Sequence, residues 1–182
     1  MKRLIIDTST SIQYLALTID EEVIATYQAP LLKNHSHSLL NNLFDLLKNN
    51  NIDIKTLDEI ICGIGPGSFT GTRIACTVAK VLAYSHGISI RSISSLYLMA
   101  SGYDGLVIPL IDAKREKYFS SVCQEGKVIL KDDIRTKEEV TQNLKNYKFI
   151  TEDEFLVSPK RVIEMASEAD CFSLAPNYIK NV

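Results

Sequence analysis

One pattern occurs twice in the sequence: an apolar strand that ends on aspartate is followed by a β-hairpin. The first copy is RLIID at 3–7, with a predicted hairpin over 12–29. The second copy is LVIPLIDA at 106–113, with a predicted hairpin over 117–132. Short apolar runs bounded by turn-forming residues predict strands, and each copy contains three such runs. The repetition therefore predicts two lobes built on one plan.

Helical spacing of apolar residues predicts two long helices, both in the first half of the chain. They span 35–51 and 70–87, and the second ends at Gly87, a typical helix stop. Strands predicted at 58–65 and 88–94 flank this second helix.

The second half of the chain contains only short predicted helices, at 136–147 and 158–169, each opening on a hydroxyl residue that can cap it. We therefore expect a larger N-terminal lobe, residues 1–103, and a smaller C-terminal lobe, residues 104–182.

The bulk composition excludes two classes of protein. With 182 residues the chain is long enough to bury a core. Its hydrophobic fraction of 46%, charged fraction of 23% and net charge of −2 exclude a disordered chain and a polybasic nucleic-acid binder. A contact with RNA would need the help of a partner.

The cysteines and the N-terminal segment indicate the compartment. Cys62, Cys76, Cys123 and Cys171 form no CxxC motif and lie in or beside apolar stretches, as reduced core cysteines do in the cytosol. The first apolar run ends at Asp7, too early for a signal peptide, and no run approaches the roughly 18 apolar residues of a membrane span. We expect a cytoplasmic protein that does not contact the membrane.

A glycine-rich turn, GIGPGSFTGTR at 63–73, connects a predicted strand to the second long helix. It lacks the lysine of a Walker A loop, and its last three glycines follow GxGxxxG instead of the dinucleotide fingerprint GxGxxG. Two interpretations stay open. The turn is structural, with Ser68 or Thr70 as the helix cap, or the helix N-terminus binds an anion or a partner.

Two stripes of residues run along the helix predicted at 70–87. Small side chains at every fourth position let another helix approach closely. One interpretation is that one of these faces contacts a second protein. The alternative is that the small residues pack on the chain's own sheet. The small stripe is Gly71, Ala75, Ala79 and Ala83, and the polar stripe is Arg73, Thr77, Lys80 and Tyr84.

The ordered motifs of the chain resemble those of the TsaB family, also called YeaZ, the non-catalytic subunit of the bacterial tRNA threonylcarbamoyladenosine machinery. They span nearly the whole chain, and GPGSFTG followed by arginine is highly specific. The motifs are LIIDTSTS at 4–11, HSHSLL at 35–40, GPGSFTGTRIA at 65–75, SISSLYLMA at 92–100, IDAKREKY at 111–118 and APNYIKNV at 175–182.

The resemblance implies an α/β fold of the actin/hexokinase (ASKHA) type, with two lobes that each hold a mixed β-sheet and flanking helices. The implied partners are the catalytic paralogue TsaD, the ATPase TsaE and, through the complex, tRNA. The chain departs from the family at Ala75, where glycine is common, at Lys114, where arginine is common, and in a second lobe that is reduced.

The resemblance also implies a docking surface on two helices. In the family, the first helix and the helix after GPGSFTG pack against TsaD or against another TsaB, so a homodimer is an alternative occupant. The residues predicted for partner binding are Leu39, Leu43, Leu46, Leu47, Gly71, Arg73, Ala75, Thr77, Ala79, Lys80 and Ala83.

Active ATPases of this fold hold a metal with acidic residues at the strand ends of both lobes. Asp7 and Asp112 occupy these places, but Ala113 and Lys114 stand where a DxG motif needs its glycine, and no glycine follows Gly126. We therefore expect no catalytic residues and no cofactor. The residues of a vestigial anion or nucleotide site are Asp7, Thr8, Ser9, Gly65, Gly67 and Asp112.

The remaining candidate residues carry weaker expectations. His35 and His37 lie roughly 200° apart around a helix, which disfavours a zinc site, and no metal is expected. Tyr178 and Lys180 are candidates to dock the C-terminal tail. An ATPase or metabolite kinase of the same fold, or a purely structural homodimer, remain the alternative functions.

Overall fold

The structure is a computed structural model that describes residues 1–31 and 35–179, with the side chains of residues 35–37 outside the description. The strands are β1 (Lys2–Asp7), β2 (Ile12–Ile19), β3 (Glu22–Pro30), β4 (Glu59–Gly63), β5 (Ser89–Ile93), β6 (Leu106–Asp112), β7 (Tyr118–Gln124), β8 (Lys127–Arg135), β9 (Tyr147–Ile150) and β10 (Ser167–Ala169). The helices are α1 (His35–Asn49), α2 (Phe69–His86), α3 (Ser95–Ala100), α4 (Lys137–Thr141) and α5 (Pro159–Met165).

Two mixed sheets organise the chain. The first has the strand order β10-β5-β4-β1-β2-β3, and the second has the order β8-β7-β6-β9. In the first sheet β1 pairs antiparallel with β2 and parallel with β4, and in the second β6 pairs antiparallel with β7 and parallel with β9. The repeated sequence pattern thus corresponds to a repeated strand arrangement, and the predicted two-lobe fold of the actin/hexokinase type is confirmed.

The division at residue 103 stays a prediction. Strands β6 to β9 of the second sheet all follow it in sequence, whereas β10, near the end of the described chain, pairs antiparallel with β5 of the first sheet.

The central strands of the first sheet are buried on both faces. Side chains alternate along each strand, so neighbouring residues point into different cores. Leu4 and Ile6 of β1 point into a core shared with α1 and α2. Ile5, between them, points into a second core built with α3, α5 and strands of the second sheet. All three side chains are fully buried, so β1 is the central strand between the two cores.

The leucines of α1 lie mainly in the chain's own core. Leu39, Leu43 and Leu47 are buried, and Leu46 is partly buried against the same cluster. The expectation that Leu39, Leu43 and Leu47 line a partner surface is therefore corrected, because the apolar stripe of an amphipathic helix packs against the first sheet, whereas the expectation for Leu46 stays a prediction. Leu40 (37%) and Phe44 (48%), each one residue after a buried leucine and therefore on a flanking side of α1, are exposed instead.

The small-residue stripe of α2 is also internal. Ala75, Ala79 and Ala83 belong to the core with β1 and β4, and Gly71 is buried as well. These four residues therefore pack on the chain's own sheet, as the alternative interpretation predicted. Their predicted role in partner binding is corrected. Their missing bulk lets α2 lie close to its own sheet.

Helix boundaries in the second half differ from the sequence prediction. The caps Thr136 and Ser158 are confirmed, but α4 ends at Thr141 and β9 begins at Tyr147, whereas the sequence predicted one helix over 136–147. The predicted helix end at 167–169 is strand β10. Both differences arise from pairing with strands distant in sequence, which local propensity does not report.

Truncation of Leu43 should separate core packing from surface packing on α1. We expect Leu43→Ala to lower the free energy of unfolding by about 2–5 kcal/mol, because it leaves a cavity in a filled core. Leu40→Ala, which shortens an exposed side chain, should cost less than about 1 kcal/mol. Urea denaturation of both variants measures the difference, and equal losses would contradict the packing described for α1.

Candidate functional site

The glycine-rich turn packs directly onto the turn between β1 and β2. A Cβ atom placed on Gly67 would lie 2.1 Å from the carbonyl oxygen of Ser9, and one placed on Gly71 would lie 1.8 Å from the carbonyl oxygen of Thr8. The Ser68 amide donates to the Ser9 carbonyl (2.6 Å), and the Thr8 hydroxyl donates to the Gly71 carbonyl (2.7 Å). The close backbone approach that glycine permits is thus used within the chain.

The start of α2 is capped internally as well. Ser68 is the N-cap residue, and its hydroxyl accepts from the Gly71 amide at 3.2 Å. The Gly65 amide donates to the Ser95 hydroxyl at 2.9 Å. Several amides that could face an anion at a helix N-terminus are therefore occupied by protein acceptors.

Asp7 lies below the surface beside this turn. It is fully buried, and its Oδ1 accepts the Ser9 amide at 2.5 Å, while Oδ2 meets no hydrogen-bond partner of acceptable geometry among the described residues. Burial raises the pKa of Asp7, and the nearby Ser95 and Ser9 groups oppose the rise only in part. Burial thus disfavours the charged form of this carboxyl group relative to one in water.

Asp112 has the opposite environment. It is exposed at the end of β6, where its Oδ1 accepts the Lys114 amide and its Oδ2 accepts the Lys114 ammonium, each at 2.8 Å. The hydrogen bonds and charge of Lys114 lower the pKa of Asp112, and those of Asp112 raise the pKa of Lys114. The two strand-end aspartates therefore differ in both burial and charge.

A cleft of about 520 Å³ lies between the β1–β2 turn, the glycine-rich turn and the second sheet. It brings together Ser9, Gly67 and Asp112 of the predicted vestigial site. Asp7, Thr8 and Gly65 are buried behind its described lining. The described part of its lining carries two carboxylates and one ammonium, a charge balance that disfavours a polyphosphate there. The lining residues are Ser9, Thr10, Ser11, Leu31, Gly67, Ser68, Ile111, Asp112, Lys114 and Glu152.

Two further classes of site have no counterpart in residues 1–31 and 35–179. No group of three or more histidine, cysteine, aspartate or glutamate side chains there could hold a metal ion. None of the helices in that part of the chain has the length and apolar character needed to cross a membrane. The predicted histidine pair His35 and His37 falls outside the described side chains.

The outward side of α1 and α2 carries large exposed apolar side chains. Leu40 and Phe44 project from α1, and Val81, 56% exposed, projects from α2. The two helices pack against each other and against the first sheet, so these three residues sit on a rigid support. We call Leu40, Phe44 and Val81 the docking face.

The polar stripe of α2 is covered in part by residues 170–178, which we call the strap. The Lys80 ammonium donates to the carbonyl oxygens of Phe172 and Leu174, and the Arg73 guanidinium donates to the Tyr178 hydroxyl. Thr77 between them is exposed. Docking of the tail through Tyr178 is thus confirmed, whereas Lys180 lies outside the described residues.

Sequence reasoning placed Tyr178 on the body of the protein but missed what it touches. The sequence shows two cations, Arg73 and Lys80, seven residues apart on one helix, and a C-terminal tail that contains Tyr178 and Asn177. The missing information was that β10 pairs with β5, which brings the tail to α2.

Comparison with known proteins gives one family-model match and several relatives. Residues 27–166 match the model described as "TsaD: tRNA N6-adenosine threonylcarbamoyltransferase". The chain is 39% identical to the tRNA threonylcarbamoyladenosine biosynthesis protein TsaB of Bacillus subtilis over 127 residues, which cover 68% of this chain and 56% of that protein. It is 32% identical to the protein of the same name from Haemophilus influenzae, with 67% and 54% covered. The chain thus spans about half the length of the curated relatives it matches.

Two solved structures are similar in fold over almost their full length. One is an uncharacterized protein with similarity to peptidase YEAZ from Pseudomonas aeruginosa, with a TM-score of 0.81. The other is YeaZ from Pseudomonas aeruginosa, with a TM-score of 0.78. Each is 21% identical to this chain, and each alignment covers 98% of this chain and 99% of the other.

Substitution of Gly71 tests the packing of α2 on the β1–β2 turn. Alanine normally stabilises a helix by about 0.5–1 kcal/mol relative to glycine. Here the added methyl group meets the Thr8 carbonyl, so we expect Gly71→Ala to destabilise the protein by roughly 1–3 kcal/mol. Thermal and urea unfolding measure the change, with the exposed neighbour variant Thr70→Ala as the control. A stabilising Gly71→Ala would contradict the close contact.

The buried Asp7 should leave a signature in the pH dependence of stability. Its pKa is raised above the ordinary value of 3.8 in the folded state, so the folded protein retains a proton that the unfolded chain releases. Its contribution to stability is fully present below 3.8 and is lost as the pH rises through the folded pKa. Relative to Asp7→Asn, the wild type should lose stability as the pH is raised from acid to neutral.

Urea titrations of both proteins across this pH range measure the effect. Asp112→Asn is the matched control and should show the opposite sign, because Lys114 lowers the pKa of Asp112. Parallel pH profiles of the wild type and Asp7→Asn would refute the assignment.

Proposed function

The chain belongs to the TsaB (YeaZ) family, with a TsaD-type domain over residues 27–166, and on that premise we propose that it is a non-catalytic docking subunit for threonylcarbamoyladenosine formation in tRNA. Its direct partner is a TsaD-type paralogue, which carries out the transfer. A TsaE-type ATPase and tRNA engage through that complex, in the cytoplasm.

The observation that carries the proposal is the docking face. Leu40, Phe44 and Val81 are between 37% and 56% exposed on two helices whose opposite sides are fixed in the core. Exposed apolar side chains on a rigid support are typical anchors of protein interfaces. A second copy of this chain is the alternative occupant of the same face.

The state of the cleft favours a docking role over a catalytic one. The glycine-rich turn is filled by the backbone of Thr8 and Ser9, and Asp7 is buried beside it. Asp112 is engaged by Lys114 at the surface. A phosphate-transfer site needs backbone amides and metal-holding carboxylates that face the substrate, whereas the Ser68 amide, Asp7 and Asp112 are each engaged within the chain.

The proposed mechanism is conformational. The TsaD-type partner has an active and an inactive conformation, and the docking face makes more contacts with the active one. These extra contacts are required because a binding protein shifts a conformational equilibrium only by the difference in its affinity for the two states. A net charge of −2 on this chain implies that most contacts to tRNA phosphates come from the other subunits.

Reconstitution tests this function. Purified TsaD-type and TsaE-type proteins, tRNA and substrates should yield threonylcarbamoyladenosine only when this chain is added. ATP turnover by this chain alone should stay at background and be insensitive to Asp7→Ala. Equal product without the chain would refute the activator role, and turnover that disappears in Asp7→Ala would favour an ATPase.

Charge placed on the docking face should block the complex. We expect Phe44→Asp and Val81→Asp each to raise the Kd for the TsaD-type partner at least about tenfold, since each would bury an unpaired carboxylate. Ile129→Asp is the matched control, because Ile129 is also 56% exposed but lies on β8 of the second sheet. Isothermal titration calorimetry measures all three, and unchanged binding by both docking-face variants would contradict the assignment.

A further inference from the structure

Two cationic side chains of α2, Arg73 and Lys80, donate hydrogen bonds to uncharged acceptors of the strap. Lys80 donates to two backbone carbonyl oxygens at 3.3 and 3.1 Å, and Arg73 donates to the Tyr178 hydroxyl at 2.5 Å. The guanidinium of Arg73 also lies 3.7 Å from the centroid of the Phe69 ring. Of the ion pairs formed among the described residues, none includes Arg73 or Lys80.

Ring and apolar contacts also hold the strap: the Tyr178 ring lies 5.4 Å from that of Phe69, the Phe172 ring lies 5.6 Å from that of Tyr84, and Cys171 packs partly buried on the core.

The remaining contacts of the strap are few. Leu174 is its buried side chain, and Asn177 donates through its amide to the Ile64 carbonyl (2.7 Å) and through its side chain to Asp132 (3.3 Å). Phe172 remains 74% exposed. No helix or strand is formed within the described residues 170–179. Segments held by few buried contacts open locally at a small fraction of the global unfolding free energy.

A carboxylate is a better acceptor for these cations than the strap. Hydrogen bonds between an ionised donor and an ionised acceptor are shorter and stronger than those to neutral groups. Arg73 and Lys80 are seven residues apart on α2, which places them about 10 Å apart along one side of the helix. Two carboxylates at this separation would match both cations at once.

We propose that the partner that docks on α2 is a protein surface with two carboxylates about 10 Å apart, and that these displace the strap from Arg73 and Lys80. In the free protein the strap accepts the hydrogen bonds of both cations, and it dissociates from them when the partner binds. This inference rests on the docking role proposed above, and it adds the charge pattern of the partner and the segment that must move.

Hydrogen exchange of the Asn177 amide reports directly on the strap. In the free protein this amide is bonded to Ile64, and in the complex with the TsaD-type partner its exchange should accelerate at least about tenfold. The Ser68 amide, bonded to Ser9, is the internal control and should stay protected. An Asn177 amide that is unchanged or better protected in the complex would overturn the proposal.

Binding by conservative variants provides the second readout. Tyr178→Phe removes the acceptor of Arg73 while keeping the ring, so it should bind the partner about two- to fivefold more tightly. Arg73→Gln and Lys80→Gln keep a neutral donor but lose the charge, so each should bind at least about fivefold more weakly. Lys145→Gln makes the same change at an exposed lysine of the second lobe and should leave the Kd unchanged.

The outcomes distinguish the two proposals. If the wild type binds but Tyr178→Phe binds no more tightly, or the two glutamine variants bind as well as the wild type, the strap proposal fails and the docking role stands. If neither the wild type nor Tyr178→Phe binds, the docking role fails and the strap proposal fails with it.

Discussion

The contact between the glycine-rich turn and the β1–β2 turn determines much of the rest of this structure. Gly67 and Gly71 bring their backbone against the carbonyl groups of Ser9 and Thr8, at distances that no side chain would allow. This contact fixes where α2 starts, and α2 in turn covers the central strand β1 together with α1. The same contact seals Asp7 below the surface.

The chemical consequence is that features resembling a phosphate site serve the internal packing of the chain. A glycine-rich turn before a helix can present amides to an anion, but here the Ser68 amide already bonds to Ser9. Asp7, the strand-end aspartate beside this turn, is fully buried, and burial raises its pKa. The exposed side chains Leu40, Phe44 and Val81, which we propose as the docking face, lie on helices that the same core supports.

The strap connects regions that are distant in sequence. Through Asn177 it contacts Ile64 of the glycine-rich turn and Asp132 of the second sheet, and through Tyr178 it contacts α2. Burial raises the pKa of Asp132, and the Asn177 hydrogen bond opposes that rise in part. A partner that engages α2 therefore acts on a segment that also touches the turn and the second lobe.

The order of its motifs identified the family of this chain. The sequence by itself also determined the repeated strand pattern, the two long helices, and the caps at Thr136 and Ser158. These follow from local periodicity and hydrogen-bonding capacity, which short stretches of chain already contain. Tertiary structure alone decided that Ala75 and Ala79 face the core, that residues 147–150 and 167–169 are strands, and that the strap covers α2. Each of these features depends on a contact with residues far away in sequence. The local preference of a small residue or a short polar segment does not indicate which residues it will contact.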